Sequence, residues 1–205
     1  MSYLIKVNNV SKKFDKKIIL NNYSRVFEDN KIYSIIGRSG CGKTTLLRII
    51  AGLLESDTGS VTYNDGKIDK KMPEIFMMHQ HYTNFPWKTC LENVLFPSEL
   101  KSKVTKEHEK QAVELLKQVG LGENVNMYPY ELSGGMKQRL SLARILMTKP
   151  AVILMDEPMS ALDDKTREKM QDYILSMHAE TKNTIILVTH DVDEARKMGD
   201  EIISL

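Results

Sequence analysis

Gly37-Arg38-Ser39-Gly40-Cys41-Gly42-Lys43-Thr44 is the stretch from which the fold of this chain is best inferred. It matches the pattern G-x-x-x-x-G-K-[ST], which is typical of a loop that binds phosphate groups. A short apolar run, Ile32–Ile36, precedes the loop, and leucines and isoleucines at helical spacing follow it over residues 44–54. In such a strand–loop–helix context, backbone N–H groups and the positive helix N-terminus point at phosphate oxygens. The stretch therefore predicts a nucleoside triphosphate site.

The residues of the loop have separate expected tasks. Lys43 can reach the outer phosphates, and the Thr44 hydroxyl can bind Mg²⁺. The other residues that we expect to contact the nucleotide are Gly37, Arg38, Ser39, Gly40, Cys41, Gly42 and Thr45.

A second apolar strand, over residues 151–155, ends in two carboxylates, Asp156 and Glu157. At the carboxyl end of a parallel strand, such groups face the ligand crevice. We expect Asp156 to hold Mg²⁺ through water and Glu157 to act as a general base on the attacking water.

The family is indicated by Leu132-Ser133-Gly134-Gly135-Met136-Lys137-Gln138-Arg139. Ser133 is a good helix N-cap, and the two glycines leave N–H groups exposed at the start of a helix, which makes a second anion site. This stretch resembles the signature L-S-G-G-x-x-Q-R of the ATP-binding cassettes of ABC transporters.

Four further positions match the cassette pattern in the same order. The resemblance implies that Phe14 stacks on adenine, that Gln80 senses Mg²⁺ and the attacking water, and that His190 contacts the γ-phosphate. It also implies that the loop Ser160-Ala161-Leu162-Asp163 passes information between two subunits and that Asp163 lies at the nucleotide site. Read without the resemblance, Phe14 is more typical of a core residue, Gln80 of a surface residue and His190 of a structural one.

The resemblance implies a mechanism that needs two copies of the chain. The homodimer is head to tail, so that ATP on Lys43 and Thr44 of one copy is capped by Ser133, Gly134 and Gly135 of the other. The cofactors are ATP and Mg²⁺, and the enzyme activity is ATP hydrolysis coupled to transport. The expected partners are integral membrane permease subunits on the cytoplasmic face of the membrane. Details of the sequence are similar to bacterial importers, nearest the nitrate/sulfonate/taurine group, which adds a substrate-binding protein.

The hydrophobic pattern predicts an α/β fold. Residues 3–7, 18–27, 59–63 and 75–79 read as strands, residues 91–147 as helical, and residues 151–198 as alternating strands and helices. Buried strands that alternate with helices favour a parallel sheet covered on both faces. The prediction is a P-loop NTPase core with a parallel sheet, an N-terminal antiparallel β subdomain and an inserted helical subdomain. All belong to one domain, 1–205: the core and β subdomain take about 1–85 and 150–205, the helical subdomain about 86–149.

Composition narrows the classes of protein. The net charge of +2 gives no argument for nucleic acid. No apolar stretch approaches the roughly twenty residues of a spanning helix, and no signal peptide is visible at the N-terminus.

Cys41 and Cys90 have no metal-ligand spacing, and we expect no disulfide between them. Cys41 stands where many cassettes carry serine, which places a reactive thiol beside the phosphates. The end at Leu205 fits a minimal member or a truncated chain.

Three other readings compete with a transporter subunit. A cassette ATPase that acts on DNA or ribosomes usually has a long coiled coil or two cassettes, whereas this chain has one phosphate-binding loop and a short span from Gln80 to Leu132. A regulatory module would predict a damaged Glu157 or His190, and both are intact. A kinase or GTPase would lack the signature.

The aromatic run Phe85-Pro86-Trp87 fits a groove for a short helix of the permease or, equally, a satellite core.

Overall fold

The computed structural model describes residues 3–68, 72, 74–78, 83–160 and 162–205. In chain order the strands and helices are β1 (Tyr3–Phe14), β2 (Lys17–Glu28), β3 (Ile32–Ile36), α1 (Lys43–Ile50), β4 (Thr58–Tyr63), β5 (Gly66–Lys67), β6 (Ile75–Met78), α2 (Cys90–Lys101), α3 (Lys106–Gln118), α4 (Gly134–Leu146), β7 (Val152–Asp156), α5 (Asp164–Thr181), β8 (Thr184–Val188), α6 (Val192–Met198) and β9 (Glu201–Ser204). They fall into two compact units, Met1–Met77 with Ala151–Glu157 and Met177–Leu205, and Met78–Pro150 with Pro158–Ser176. The fold class is α/β, as predicted.

The first unit contains a four-stranded antiparallel sheet with the strand order β2-β1-β4-β5. Its β4–β5 hairpin turns at Asn64 and Asp65, which have φ values of 45° and 64°. Two successive residues with positive φ are what a tight two-residue hairpin needs, and asparagine and aspartate tolerate that conformation best after glycine. This sheet confirms the predicted antiparallel strands in the N-terminal part of the chain.

The same unit contains a five-stranded sheet with the order β6-β7-β8-β3-β9, in which β7, β8, β3 and β9 run parallel. Every residue of β7 and β8 is buried. Strands that are buried on both faces read as continuous apolar runs, which is how these two appear in the sequence. The predicted parallel sheet is therefore present.

Three features of the two units differ from the sequence prediction. Helix α1 ends at Ile50 rather than at residue 54, because Gly52 adopts a left-handed φ of 66° two residues later. Helix α5 runs to Thr181 rather than to residue 177. The edge strand β9, over Glu201–Ser204, was not predicted; four residues after a helix give too short a pattern to recognise.

The second unit is built around α2, α3 and α4, with a single 3-10 turn at Pro129–Glu131 before α4. Leu116 on α3 and Leu140 on α4 lie in one buried cluster with Val94 of α2. The predicted apolar stripe of α3 belongs to this core: Ala112, Leu116 and Val119 are buried and Leu115 packs against them.

Across the part of the chain that the structure describes, no helix is long and apolar enough to cross a membrane.

Candidate functional site

The phosphate-binding loop connects β3 to α1, and its geometry depends on Gly42. This residue is the N-cap of α1 and has a φ of 111°, in the left-handed region. A Cβ at Gly42 would stand 2.9 Å from Ile19 Cγ2 and 3.0 Å from the Ile19 carbonyl oxygen. Only glycine satisfies both the conformation and the close approach of β2. The N–H groups in the first turn of α1, which includes Thr45, point toward the phosphate-binding loop, and no side chain caps them.

The Lys43 side chain is hydrogen-bonded to the backbone of the phosphate-binding loop. Its Nζ donates to the carbonyl oxygens of Gly37 at 2.8 Å and of Arg38 at 3.2 Å. The side chain is 6% exposed, whereas Ser39 and Gly40 form the exposed tip of the loop. A lysine ammonium has three N–H donors, and two are used here. The charge is therefore held in place beside the backbone that is expected to surround phosphate.

Thr44 and Asp156 are brought into direct contact, although 112 positions separate them in the sequence. The Thr44 hydroxyl donates to Asp156 Oδ1 at 2.9 Å, where β7 ends beside the start of α1. Asp156 is only 6% exposed. A hydroxyl and a carboxylate oxygen are ligands that Mg²⁺ prefers, so the pair fits the predicted ion.

Glu157 follows directly and has an unusual backbone, with φ 47°. Its N–H donates to the Val188 carbonyl oxygen at 3.0 Å, which fixes the residue to β8. A non-glycine residue in the left-handed region costs about 1–3 kcal/mol and is concentrated at functional sites. His190 lies opposite, with Nδ1 3.3 Å from Glu157 Oε2. The predicted base and the predicted γ-phosphate contact therefore lie within reach of each other.

Phe14 ends β1 at the hairpin to β2, where it is paired with Lys17. Its side chain is 48% exposed, and Lys12 Nζ lies 5.7 Å from the ring centroid. A half-exposed ring fits a stacking surface better than it fits the core reading. Cys41, in the loop itself, is partly exposed, and its Sγ would stand 2.8 Å from a Cβ at Gly37.

In the second unit, Ser133 is the N-cap of α4, and its Oγ accepts a hydrogen bond from Met136 N at 3.3 Å. Gly134 and Gly135 open the helix. Gly135 packs closely against the start of α5, since an added Cβ would lie 2.8 Å from Thr166 Cγ2. There Asp163 accepts a hydrogen bond from Thr166 N. Hydrogen bonds from the side chain and then from the backbone of Thr166 lower the pKa of Asp163 from its usual value. The signature and the predicted communication loop are therefore neighbours within one unit.

The remaining predicted residues can be placed briefly. Gln80, expected to sense Mg²⁺ and water, lies outside the described residues, as does Ala161. The four histidines other than His190 had no predicted metal role, and among the described residues no three histidine, cysteine, aspartate or glutamate side chains form a metal-binding group.

One set of contacts was not found from the sequence. The segment Thr83–Thr89 is hydrogen-bonded to α4 through Asn84 and Arg144, and to α2 through Asn93. Asparagine and arginine at these positions read as ordinary surface residues, and only the helical spacing of Lys137, Ser141 and Arg144 signals that they share one face of α4.

Comparison with known proteins gives consistent matches. A family profile described as ABC transporter matches residues 20–160. An uncharacterised ABC transporter ATP-binding protein of Methanocaldococcus jannaschii is 40% identical over 100% of this chain and 78% of its own length. A taurine import ATP-binding protein of Ruegeria pomeroyi is 40% identical over 97% and 76%. A dimeric ATP-binding cassette solved in a post-hydrolysis state with ADP and phosphate has a TM-score of 0.87 and 35% identity, over 98% of this chain and 94% of that one.

The phosphate-binding loop, the acidic strand end and the signature helix thus occur together in a fold that matches solved cassettes along its length. The chain belongs to the ABC transporter family, as one of its ATP-binding and ATP-hydrolysing subunits.

Proposed function

We propose that this subunit powers an importer, and that two copies enclose ATP between the phosphate-binding loop of one and the signature helix of the other. The observation that carries the proposal is the division of the two anion sites. Lys43, Thr44, Asp156 and Glu157 lie in one unit, and the helix N-terminus at Ser133 lies in the other. A head-to-tail pair gives each bound ATP both sites.

Mg²⁺ is the ion that the site fits. Thr44 Oγ1, 2.9 Å from Asp156 Oδ1, would bind the ion directly, and Asp156 would hold it through water. Gln80 is the third residue that the family pattern assigns to the ion. When bound, the ion neutralises charge that develops on the β- and γ-phosphate oxygens. The backbone amides from Gly37 to Thr45 and the Lys43 ammonium surround the phosphates, and Phe14 stacks on the adenine.

Glu157 supplies the base for hydrolysis. Its carboxylate accepts a proton from the water that attacks the γ-phosphorus, while the bond to the β–γ bridging oxygen breaks and ADP leaves. His190, 3.3 Å from Glu157 Oε2, orients the carboxylate and donates to the γ-phosphate. The left-handed backbone of Glu157 aims the side chain away from the line of β7, toward His190.

Other partners follow from the family and from its relatives. The membrane-spanning path belongs to permease subunits, against which the cassette lies on the cytoplasmic face. A substrate-binding protein delivers the cargo, as the resemblance to importers implies; one relative is a taurine import ATP-binding protein. The segment after Gln80, with Phe85 and Trp87, and the predicted helical subdomain over residues 86–149 form the permease contact. The cargo is chosen by the permease and binding protein.

The test is the Glu157→Gln variant, whose amide keeps the shape of the side chain but cannot take the proton. We expect ATP hydrolysis to fall by about 10²–10⁴-fold, the contribution typical of a general base. Binding of ATP should persist, and the variant should accumulate as an ATP-bound dimer in sedimentation velocity with Mg²⁺ present. The matched control is Glu180→Gln on α5, which should hydrolyse ATP like the parent. A Glu157→Gln protein that binds ATP and stays monomeric would contradict the shared site.

A further inference from the structure

The Phe14 ring lies at the end of a ribbon of only two strands. Strand β1 pairs with β4 as far as Ser11, but beside β2 it continues to Phe14. The register between β1 and β2 also shifts between Lys12 and Lys13. A ribbon of two strands is only marginally stable without further contacts. The position of the ring therefore depends on the side chains that hold the end of this ribbon.

Asp57 joins the ribbon to the loop that precedes β4. Its N–H donates to the Ser11 carbonyl oxygen at 2.9 Å. Its Oδ2 accepts from Lys13 N at 2.8 Å, and its Oδ1 accepts from Lys12 Nζ at 2.7 Å. The hydrogen bond from the Lys12 side chain, and then the one from the Lys13 backbone, lower the pKa of Asp57 from its usual value. One residue thus holds three successive positions of β1, directly before Phe14.

Lys12 extends this constraint to the aromatic ring. Its side chain is 14% exposed, and its Nζ lies 5.7 Å from the centroid of the Phe14 ring, within the range of a cation–π interaction. The ammonium is therefore shared between the Asp57 carboxylate and one face of the ring. Phe14 is 48% exposed, which fits a ring that has one face covered and the other open to a flat partner.

We propose that Lys12 and Asp57 are positioning residues for the adenine of bound ATP: Asp57 holds the Lys12 ammonium over one face of the Phe14 ring, and the other face stacks on the base. The inference rests on the proposed function, in which Phe14 stacks on adenine. Neither Lys12 nor Asp57 touches the base, and both act through the orientation of the ring. A ring that is already held in place loses less freedom when the nucleotide binds, which favours binding.

The affinity for ADP tests the proposal, since ADP carries the base and has no γ-phosphate to be hydrolysed. Isothermal titration calorimetry with Mg²⁺ compares the parent protein with Asp57→Asn, in which the amide keeps the shape of the carboxylate and loses its charge. We expect Asp57→Asn to weaken ADP binding about threefold, the size of an exposed cation–π interaction. Removal of a negative charge would by itself strengthen the binding of an anionic nucleotide, so charge alone cannot produce this loss.

A double-mutant cycle with Phe14→Ala separates an effect through the ring from general damage to the ribbon. Phe14→Ala alone should weaken ADP binding about 5- to 100-fold, the range typical of stacking between a base and an aromatic side chain. In the Phe14→Ala background, Asp57→Asn should cause no further loss. Inorganic pyrophosphate, which has no base, should compete with ADP for Asp57→Asn and should bind this variant no more weakly than the parent.

Lys12→Met tests the other member of the pair, because it retains the apolar stem and removes the ammonium. It should cause a similar loss of ADP affinity, again only while Phe14 is present. Lys12→Arg should retain most of the affinity, since a guanidinium also binds the face of a ring. Glu28→Gln is the matched control, because Glu28 is paired with Lys31 at the opposite end of the same sheet. It should bind ADP like the parent.

Failure of the inference and failure of the proposed function give different results. If Phe14→Ala binds ADP like the parent, the adenine role of Phe14 is wrong and the inference falls with it. If Phe14→Ala weakens binding while Asp57→Asn and Lys12→Met do not, Phe14 keeps its role and the inference alone is overturned. An equal loss from Asp57→Asn with and without the Phe14 ring also overturns it, because Asp57 would then act by another route.

Discussion

At the scale of single residues, Asp156 and Glu157 share one strand end and have opposite surroundings. Asp156 continues β7 and is held by the Thr44 hydroxyl, whereas Glu157 turns out of the strand with φ 47° and lies beside His190. Adjacent residues of a strand point to opposite faces, so a regular strand would separate the two carboxylates. The left-handed turn at Glu157 sends the second carboxylate to His190.

Asp156 and Glu157 could be singled out from the sequence. The contact of Asp156 with Thr44 could be predicted, whereas the backbone conformation of Glu157 could not. The motif pairs Thr44 with Asp156, and the structure brings them to 2.9 Å. The backbone of Glu157 could not be predicted, because glutamate has no local preference for positive φ and its N–H is hydrogen-bonded to Val188, on a strand distant in the sequence. Residue types predict the chemistry that a site suits, but they report little about backbone conformation at positions held by tertiary contacts.

The two cysteines are expected to differ in reactivity. Cys90 is fully buried, and burial raises its pKa from 9.0 to about 11, with a smaller contribution from Glu131. Cys41 is partly exposed on the phosphate-binding loop. At pH 8, a thiol reagent should modify about one cysteine per folded chain and both after unfolding in denaturant. Bound ATP and Mg²⁺ should slow the modification. Rapid modification of both thiols in the folded protein would contradict the burial of Cys90.

The raised pKa of Cys90 also predicts how the free energy of unfolding changes with pH. A thiol with a higher pKa in the folded state than in the unfolded state keeps its full contribution below about pH 9, and this contribution is lost as the pH rises toward about 11. The free energy of unfolding should therefore fall over this window, and Cys90→Ala should reduce that part of the pH dependence.

At the scale of elements, the C-terminus of α3 and the signature helix α4 meet at one arginine. Arg139 Nη1 donates to the carbonyl oxygens of Val119 at 2.7 Å and Gly120 at 3.3 Å. A cation at the C-terminus of a helix satisfies open carbonyls and interacts favourably with the helix dipole. Gly120 has φ 68°, and a Cβ there would lie 2.7 Å from the same Nη1. Because Gly120 has no side chain, it allows both the positive φ at the end of α3 and the close approach of the guanidinium.

Gly120→Ala should lower the free energy of unfolding by about 1–3 kcal/mol, because alanine is strained at this φ and its methyl group meets Arg139. In an Arg139→Met background only the strain should remain, at about 1 kcal/mol. Chemical denaturation of the four proteins completes the double-mutant cycle. An equal cost of Gly120→Ala in both backgrounds would show that the guanidinium does not constrain residue 120.

Elements were predictable to different degrees. The strong signals gave β3, β7, β8 and α3, since continuous apolar runs and a regular apolar stripe are unambiguous patterns. The sequence indicated Gly120 as the end of α3 but gave no sign that Arg139, nineteen residues later, would donate to its carbonyl. Contacts between elements depend on which helix faces meet, and local periodicity does not determine that. The same reason hid the connections through Asn84 and Arg144.

At the scale of the whole molecule, the chain carries two helix starts that are predicted to bind anions, and they belong to different units. The start of α1 is accompanied by Lys43, Thr44 and the carboxylates of Asp156 and Glu157. The start of α4 has Ser133 and two glycines, and Leu132, the signature residue before Ser133, is uncharged. A site assembled from two copies explains why both are present in one chain. The order of the motifs predicts this arrangement, which stays a prediction.

The most direct test of the central claim is the ATPase rate of the purified chain measured against its concentration. If each site needs two copies, the rate per chain should rise with concentration and level off as dimers saturate. In Glu157→Gln it should be about 10²–10⁴-fold lower at every concentration. A rate per chain that is constant from dilute to concentrated protein, together with a monomeric sedimentation profile in ATP, would show that one copy is complete and would contradict the account.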